Sequence, residues 1–226
     1  MVNHPASELV PDPPEPFAPK VVPLLPGAKL YRVGSTQRPL TAFNPGVGGR
    51  TRFAFFGDPT VPVLYAAETE IAAVAETLLH DIPAEGGELP FSAYCGRVLG
   101  RLTVTRPLRL AAFTGLGLRQ LKVTADQVTT TPAAAYPRTV AWARAVHGVV
   151  DDDGPLDGMV WMARLCNDNH SYVFFGDRCA DAFELDPTFG RILEAGSDRG
   201  WLVDLCAPLH INVLPPGPHG QDSNLT

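Results

Sequence analysis

Arg32, Arg52, Tyr65 and Glu76 could do chemistry together if the fold collects them. Arginine's planar fork grips phosphate oxygens bidentately, and its charge does not titrate away near neutral pH. A carboxylate such as Glu76 can stabilise an oxocarbenium-like centre while holding a ribose hydroxyl. Tyr65 offers a ring on which a flat heterocycle such as nicotinamide can lie, or a hydroxyl for a ribose or phosphate. The set suits an anionic nucleotide that reacts at a sugar carbon. Each residue also has a plainer use. The arginines can pair with surface carboxylates, and Tyr65 can pack a core with one partner for its hydroxyl. Glu76 can sit on an exposed helix face with His80 four residues on, and His80 suits a helix end through the dipole.

The elements that would position these residues form a compact unit. Residues 30–33 (LYRV) read as a strand, with Arg32 interrupting its apolar run. Residues 41–49 (TAFNPGVGG) are turn-rich, because Asn, Pro and Gly supply the backbone angles that turns need. Residues 61–66 read as a short buried strand. Thr69 then caps a helix with Glu70 in its first turn. Ile71, Val74, Ala75 and Leu78 form its core-facing stripe, with Glu76 off the centre. Pro83 and Gly86–Gly87 end it.

Further strands are expected at 97–104 and 108–112, with a helix over 137–147 that begins on proline and stops before Gly148. Residues 158–163 and 172–175 read as a central hairpin joined through 164–171. Phe183 and Leu185 suggest a short strand, residues 186–195 a short helix, and 211–214 a last strand. Strand runs outnumber helices and do not alternate regularly with them, so the class is α+β.

The whole chain sets outer limits. At 226 residues with even composition it reads as one domain. Residues 1–29 are a Pro-rich N-terminal arm whose Val21, Val22, Leu24 and Leu25 should dock. Residues 30–214 are the domain, and 215–226 a loose tail. Hydrophobic residues make up 45% and charged residues 19%, enough to bury a core. The formal charge of −6 argues against a nucleic-acid-coating surface, while Arg50/Arg52 and Arg97/Arg101/Arg106/Arg109 keep positive charge local.

No apolar run approaches the roughly 18 residues of a membrane helix, and the N-terminus lacks a signal peptide's basic start and apolar centre. The cytoplasm is therefore the expected compartment. Cys95, Cys166, Cys179 and Cys206 form no CxxC pair and read as isolated buried thiols, with no metal site expected. The loop 46–49 is no P-loop, and G-x-S-x-G and H-E-x-x-H are missing.

The order LYRV, FNPG (43–46), RF (52–53), VLYAAET (63–69), AETLLHD (75–81), then YPR (136–138), DGMVW (157–161) and FFGDR (174–178), resembles the RES domain family. That resemblance implies an ADP-ribosyltransferase-like split β core around a cleft for NAD+. It implies a toxin that consumes NAD+ as its substrate, with no metal or other cofactor, by hydrolysis or phosphorolysis of the nicotinamide–ribose bond. By the same resemblance Arg32 holds the phosphates and Arg52 with Phe53 forms a second binding position. Tyr65 packs against nicotinamide or its ribose, and Glu76 orients the ribose. The family serine falls on Ala163, or on Ser171 if the hairpin register differs. Alanine neither donates nor accepts, so a catalytically silent NAD-binding, protein-interaction module is the alternative, and ADP-ribosyl transfer to a macromolecule another. The implied partner is a helix-turn-helix antitoxin of the Xre type; self-association is also open, and neither nucleic acid nor membrane is expected.

Overall fold

Short apolar runs along the chain assemble into one sheet. The computed structural model describes residues 10–217; residues 1–9 of the expected arm and 218–226 of the expected tail lie outside the described residues. The elements in chain order are β1 (Val21–Leu24), β2 (Lys29–Ser35), β3 (Val63–Ala67), α1 (Glu70–Val74), β4 (Gly87–Leu89), α2 (Phe91–Tyr94), β5 (Arg97–Val104) and β6 (Leu108–Phe113). There follow α3 (Gly115–Gln120), α4 (Ala125–Val128), α5 (Tyr136–His147), β7 (Val150–Asp151), β8 (Gly154–Pro155), β9 (Gly158–Met162), β10 (His170–Phe175), α6 (Gly176–Cys179), β11 (Phe183–Ile192), α7 (Gly196–Cys206) and β12 (Ile211–Val213). The class is α+β in a single domain, with helices flanking the sheet.

Eight strands pair in the order β1-β6-β9-β10-β3-β2-β5-β11. All neighbours are antiparallel except β6 and β9, which α5 connects in parallel. β3 and β10 share a continuous register from Ser171–Ala67 to Phe175–Val63, and β2 and β5 one from Lys29–Thr103 to Ser35–Arg97. Between them, β2 and β3 share only the pair Tyr31–Ala67. The sheet is therefore nearly split at its middle, and the split opens a cleft.

Period-2 alternation sends successive strand residues to opposite faces. On one face Phe53, Phe113, Trp161 and Phe175 pack with Trp142 of α5. On the other, Leu30, Leu64, Leu102 and Phe174 form a second core. A third cluster joins Val33 and Leu99 to Leu79 and to Leu202 of α7. Each fully buried Leu or Phe contributes about 1.5–3 kcal/mol. Gly158 is fixed by packing, since a Cβ there would lie 2.1 Å from the Val173 carbonyl oxygen.

The Pro-rich segment is a strap. Prolines keep it extended, and its carbonyls accept from other elements: Pro11 from Trp142 Nε1 at 2.9 Å and Ala18 from Gln120 Nε2 at 2.9 Å. Its end docks as β1 on β6, although Leu25 just beyond is exposed.

Other expectations are corrected. Residues 186–195 do not form a helix; most belong to β11. A register shift between Leu185 and Gly190 breaks the alternation by which a long strand is read, and Pro187 is tolerated because β11 is an edge strand. The helix that does form, α7, lies wholly beyond that range and has no counterpart among the expected elements. Of the expected stripe Val74, Ala75 and Leu78 are buried, whereas Ile71 is exposed and Ala72 and Ala73 face inward in its place. Cys95 is exposed and Cys166 half-buried; only Cys179 and Cys206 are buried. Among the described residues no helix is long and apolar enough to cross a membrane.

Candidate functional site

The split between β2 and β3 is the floor of a cleft of about 480 Å³. Arg32, Arg52, Tyr65 and Glu76 all line it. Phe53 and Ala163 do not.

Glu76 reaches the cleft through an irregular helix. Thr69 caps α1, its hydroxyl accepting from Ala72 N–H at 3.2 Å. The helix then continues as a π-helical turn over Ala75–Leu79, which carries Glu76. Such a turn holds an extra residue and re-aims the side chains on it, a device common at functional sites. Glu76 Oε1 accepts from the backbone N–H of Arg164 at 2.5 Å. Its Oε2 faces Arg52 Nη1 at 3.6 Å. That separation is an ion-pair contact and no hydrogen bond, so Oε2 keeps its capacity to accept from a ligand hydroxyl.

Arg52 is fixed from below. Its carbonyl accepts from the Thr139 hydroxyl on α5, and its guanidinium lies 5.6 Å from the Tyr136 ring centre. The arginine is buried, and its Nε has no partner among the described residues. Tyr136 thus joins the cleft wall; sequence reading placed it only in the YPR match.

Tyr65 is oriented by its hydroxyl. That oxygen accepts from Phe53 N–H at 3.1 Å and lies 2.9 Å from Thr51 Oγ1. Burial pushes the phenol up to about 12, so it stays protonated near neutrality. With the hydroxyl committed to the 51–53 segment, the ring is what Tyr65 offers to the cleft. Phe53 has a different place from the one expected of it. Its side chain is fully buried, 5.1 Å from the Trp161 ring, and only its N–H serves the site, by holding Tyr65.

Arg32 is partly structural. Nη1 donates to the carbonyls of Leu40 (2.7 Å) and Ala42 (2.8 Å), leaving Nη2 and Nε for a ligand. Leu40 anchors that loop by packing over Gly34 and Gly100, where added Cβ atoms would lie 2.5 and 2.2 Å from its methyls. Burial lowers the Arg32 guanidinium to about 10, still charged at neutral pH. Asn44 shapes the rim: its Oδ1 accepts from Gly46 N–H (3.1 Å) and Val47 N–H (2.9 Å).

The serine question has a geometric answer in the register. Ala163 is fully buried in a core cluster, and its N–H donates to the Asn169 carbonyl at 2.8 Å. Ser171 belongs to β10, which starts before the expected residue 172, and pairs with Ala67 on one side and Trp161 on the other. It lines the cleft, is 2% exposed, and its Oγ has no partner among the described residues.

Unpartnered groups gather here. Five buried side-chain polar atoms lack a hydrogen bond among the described residues: Arg52 Nε, His80 Nδ1, Thr131 Oγ1, Trp161 Nε1 and Ser171 Oγ. All but Thr131 belong to cleft-lining residues. Leaving such a group unpaired costs about 1–3 kcal/mol, and a bound polar ligand removes that cost. Trp161, His80 and Ser171 come from distant segments; the family resemblance offers Ser171 only as the alternative to Ala163, and the register of β10 decides for Ser171 as the cleft residue.

A family model described as the RES domain matches residues 29–195. Among solved structures, a chain of the M. tuberculosis MbcT–MbcA toxin–antitoxin complex is similar at 15% identity and a TM-score of 0.48, over 74% of this chain and 85% of that one. No curated protein matches the chain significantly.

Proposed function

The chain belongs to the RES domain family, and we propose that its cleft binds NAD+ and cleaves the nicotinamide–ribose bond. The observation that carries this reading is Glu76: a carboxylate on a π-helical turn, held by Arg164 N–H and Arg52, with one oxygen still able to accept. Arginines line the same cleft as this carboxylate, which is the pairing an anionic glycoside requires.

In the proposed reaction Arg32 and neighbouring arginines hold the pyrophosphate. The Tyr65 ring supports the nicotinamide end, and Glu76 Oε2 accepts from a ribose hydroxyl. The C1′–N bond breaks with its electron pair leaving on the nicotinamide nitrogen, which becomes neutral. Positive charge develops on the ribose, where the Glu76 carboxylate stabilises it. Water adds its oxygen to C1′ and releases a proton, giving ADP-ribose; inorganic phosphate in its place gives the 1-phosphate. Ser171 Oγ and Trp161 Nε1, neighbours across β9 and β10, supply the unpaired polar contacts for the bound ligand.

The family resemblance adds growth inhibition as the consequence, in the cytoplasm, and a helix-turn-helix antitoxin as the partner that covers the cleft. The test is incubation of the purified protein with NAD+, with and without phosphate, and detection of free nicotinamide. Release in either condition supports the reading; phosphate dependence assigns the acceptor. Tight NAD+ binding without release supports a silent binding module instead, and transfer of label from NAD+ onto lysate proteins supports ADP-ribosylation.

A further inference from the structure

A smaller recess of about 200 Å³ opens beside the cleft. It shares Arg32, Val33, Asn44 and Arg97 with the cleft but contains neither Glu76 nor Tyr65, so it lies away from the reacting end. The one charged residue it adds is Arg38, on the loop that Leu40 anchors. The volume is below the roughly 300–1,000 Å³ of a complete small-molecule site. It fits one group of a larger ligand.

The recess is strongly basic. Arg32, Arg38 and Arg97 line it, and no Asp or Glu does. Of the arginines that line the cleft or the recess, Arg52 pairs with Glu76, and Arg32, Arg38, Arg50 and Arg97 take part in no ion pair among the described residues. Arg97 is half-buried and its guanidinium also makes no hydrogen bond among those residues. A partly desolvated charge without a partner is unfavourable. In a chain of net charge −6, this cluster calls for an anion.

We infer that the recess is a subsite for a phosphate monoester, and that this phosphate is the 2′-phosphate of NADP+. The inference rests on the nucleotide reading of the cleft and adds a substrate preference to it. A pyrophosphate carries about two negative charges and answers two of these four cleft and recess arginines. A monoester carries about −1.5 to −2 at neutral pH, which matches the remaining two, Arg38 and Arg97, at the recess. In doubly wound dinucleotide-binding folds an arginine accommodates the 2′-phosphate, and its fork serves the same chemistry here.

Calorimetry with adenosine 2′,5′-bisphosphate and with ADP tests this without turnover, because the two carry the same number of phosphate groups in different places. The bisphosphate is expected to bind about tenfold more tightly. Arg38→Ala should remove most of that difference and Arg38→Lys retain part of it. Arg38 is exposed, so the variants should fold; circular dichroism checks this. Nicotinamide release should show the same pattern, with kcat/KM for NADP+ above that for NAD+ and the ratio falling about tenfold in Arg38→Ala. Equal binding of the two ligands, or a ratio that Arg38→Ala leaves unchanged, overturns the subsite and leaves NAD+ cleavage standing. If inorganic phosphate binds with Arg38 dependence and the 2′-phosphate adds nothing, free phosphate is the ligand and the NADP+ assignment is overturned. A protein that binds neither adenosine ligand and releases no nicotinamide overturns both readings.

Discussion

Arginines on the two sides of β5 meet opposite surroundings. Towards β11, Arg101 Nε lies 3.0 Å from Asp186, and Arg191 pairs with Glu70 at 2.9 Å and Asp198 at 3.6 Å. Aromatic rings cover them as well: Arg191 sits 4.5 Å from the Trp201 ring and Arg101 5.0 Å from Phe189. The Thr188 hydroxyl and N–H, then Arg101 and Lys29, hold the Asp186 carboxyl well below the usual range. Across β2, the cleft side keeps Arg32, Arg38, Arg50 and Arg97 without a carboxylate partner among the described residues. The difference teaches that residue type does not assign a role here. Arg101 and Arg191 have their charge satisfied within the fold, whereas the unpaired arginines gathered at the cleft keep theirs available to a ligand.

Substitutions can break this division. Arg52 should show the largest effect, because it is both buried and in the cleft. Arg52→Ala leaves Glu76 without its charge partner, and it should lower nicotinamide release on the order of 10²–10³-fold. It should also destabilise the fold by about 2 kcal/mol, less than a fully buried pair because Glu76 keeps the Arg164 N–H. Steady-state kinetics and chemical denaturation read the two effects separately.

Arg97 isolates the cleft side. Arg97→Ala should cost on the order of 10–100-fold in kcat/KM, the value of a charge-assisted phosphate contact, with no loss of melting temperature. A drop in Tm without a drop in kcat/KM would move Arg97 to the structural group.

The pair Ser171 and Ala163 sharpens the site boundary. Ser171→Ala should slow release by about three- to tenfold, the value of one neutral hydrogen bond. Ala163→Ser places a hydroxyl in a filled core, so it should destabilise by about 1–3 kcal/mol and give no gain in rate. A faster enzyme from Ala163→Ser would contradict the placement of the cleft.

Arg191 carries the smallest change and isolates the other side. Its contacts are partly exposed, so Arg191→Ala should cost about 1 kcal/mol. That is a shift of about 2–4 °C in Tm, with kcat/KM held within about twofold.

Much of this was legible in the sequence where local rules act alone. The strand at 30–33, the Thr69 cap and the helix over 137–147 follow from alternation, capping and proline placement. The bulged β11 was not legible, because Asp186 to Phe189 interrupt its alternation. The π-helical turn was not either, since nothing in AETLL departs from an ordinary helix pattern. Arg32, Arg52, Tyr65 and Glu76 were found because they sit close in sequence on one strand–helix unit. Ser171, Trp161, Tyr136 and Arg97 come from distant segments that only the sheet order brings together. Ser171 in particular depends on β10 beginning at His170, a boundary set by pairing with β3 and β9 rather than by composition.

The central claim is that Glu76, held between Arg52 and the Arg164 N–H, acts on a nucleotide bound by the open arginines. Glu76→Gln keeps the side chain's size and its acceptor for Arg164 while removing the charge. Nicotinamide release from NAD+ and NADP+ should then be compared between the parent protein and Glu76→Gln at equal fold, judged by Tm. The account predicts clear release by the parent and a loss on the order of 10³-fold in the variant, with NAD+ binding changed far less. Release that survives Glu76→Gln, or a parent that releases no nicotinamide from either dinucleotide, would contradict it.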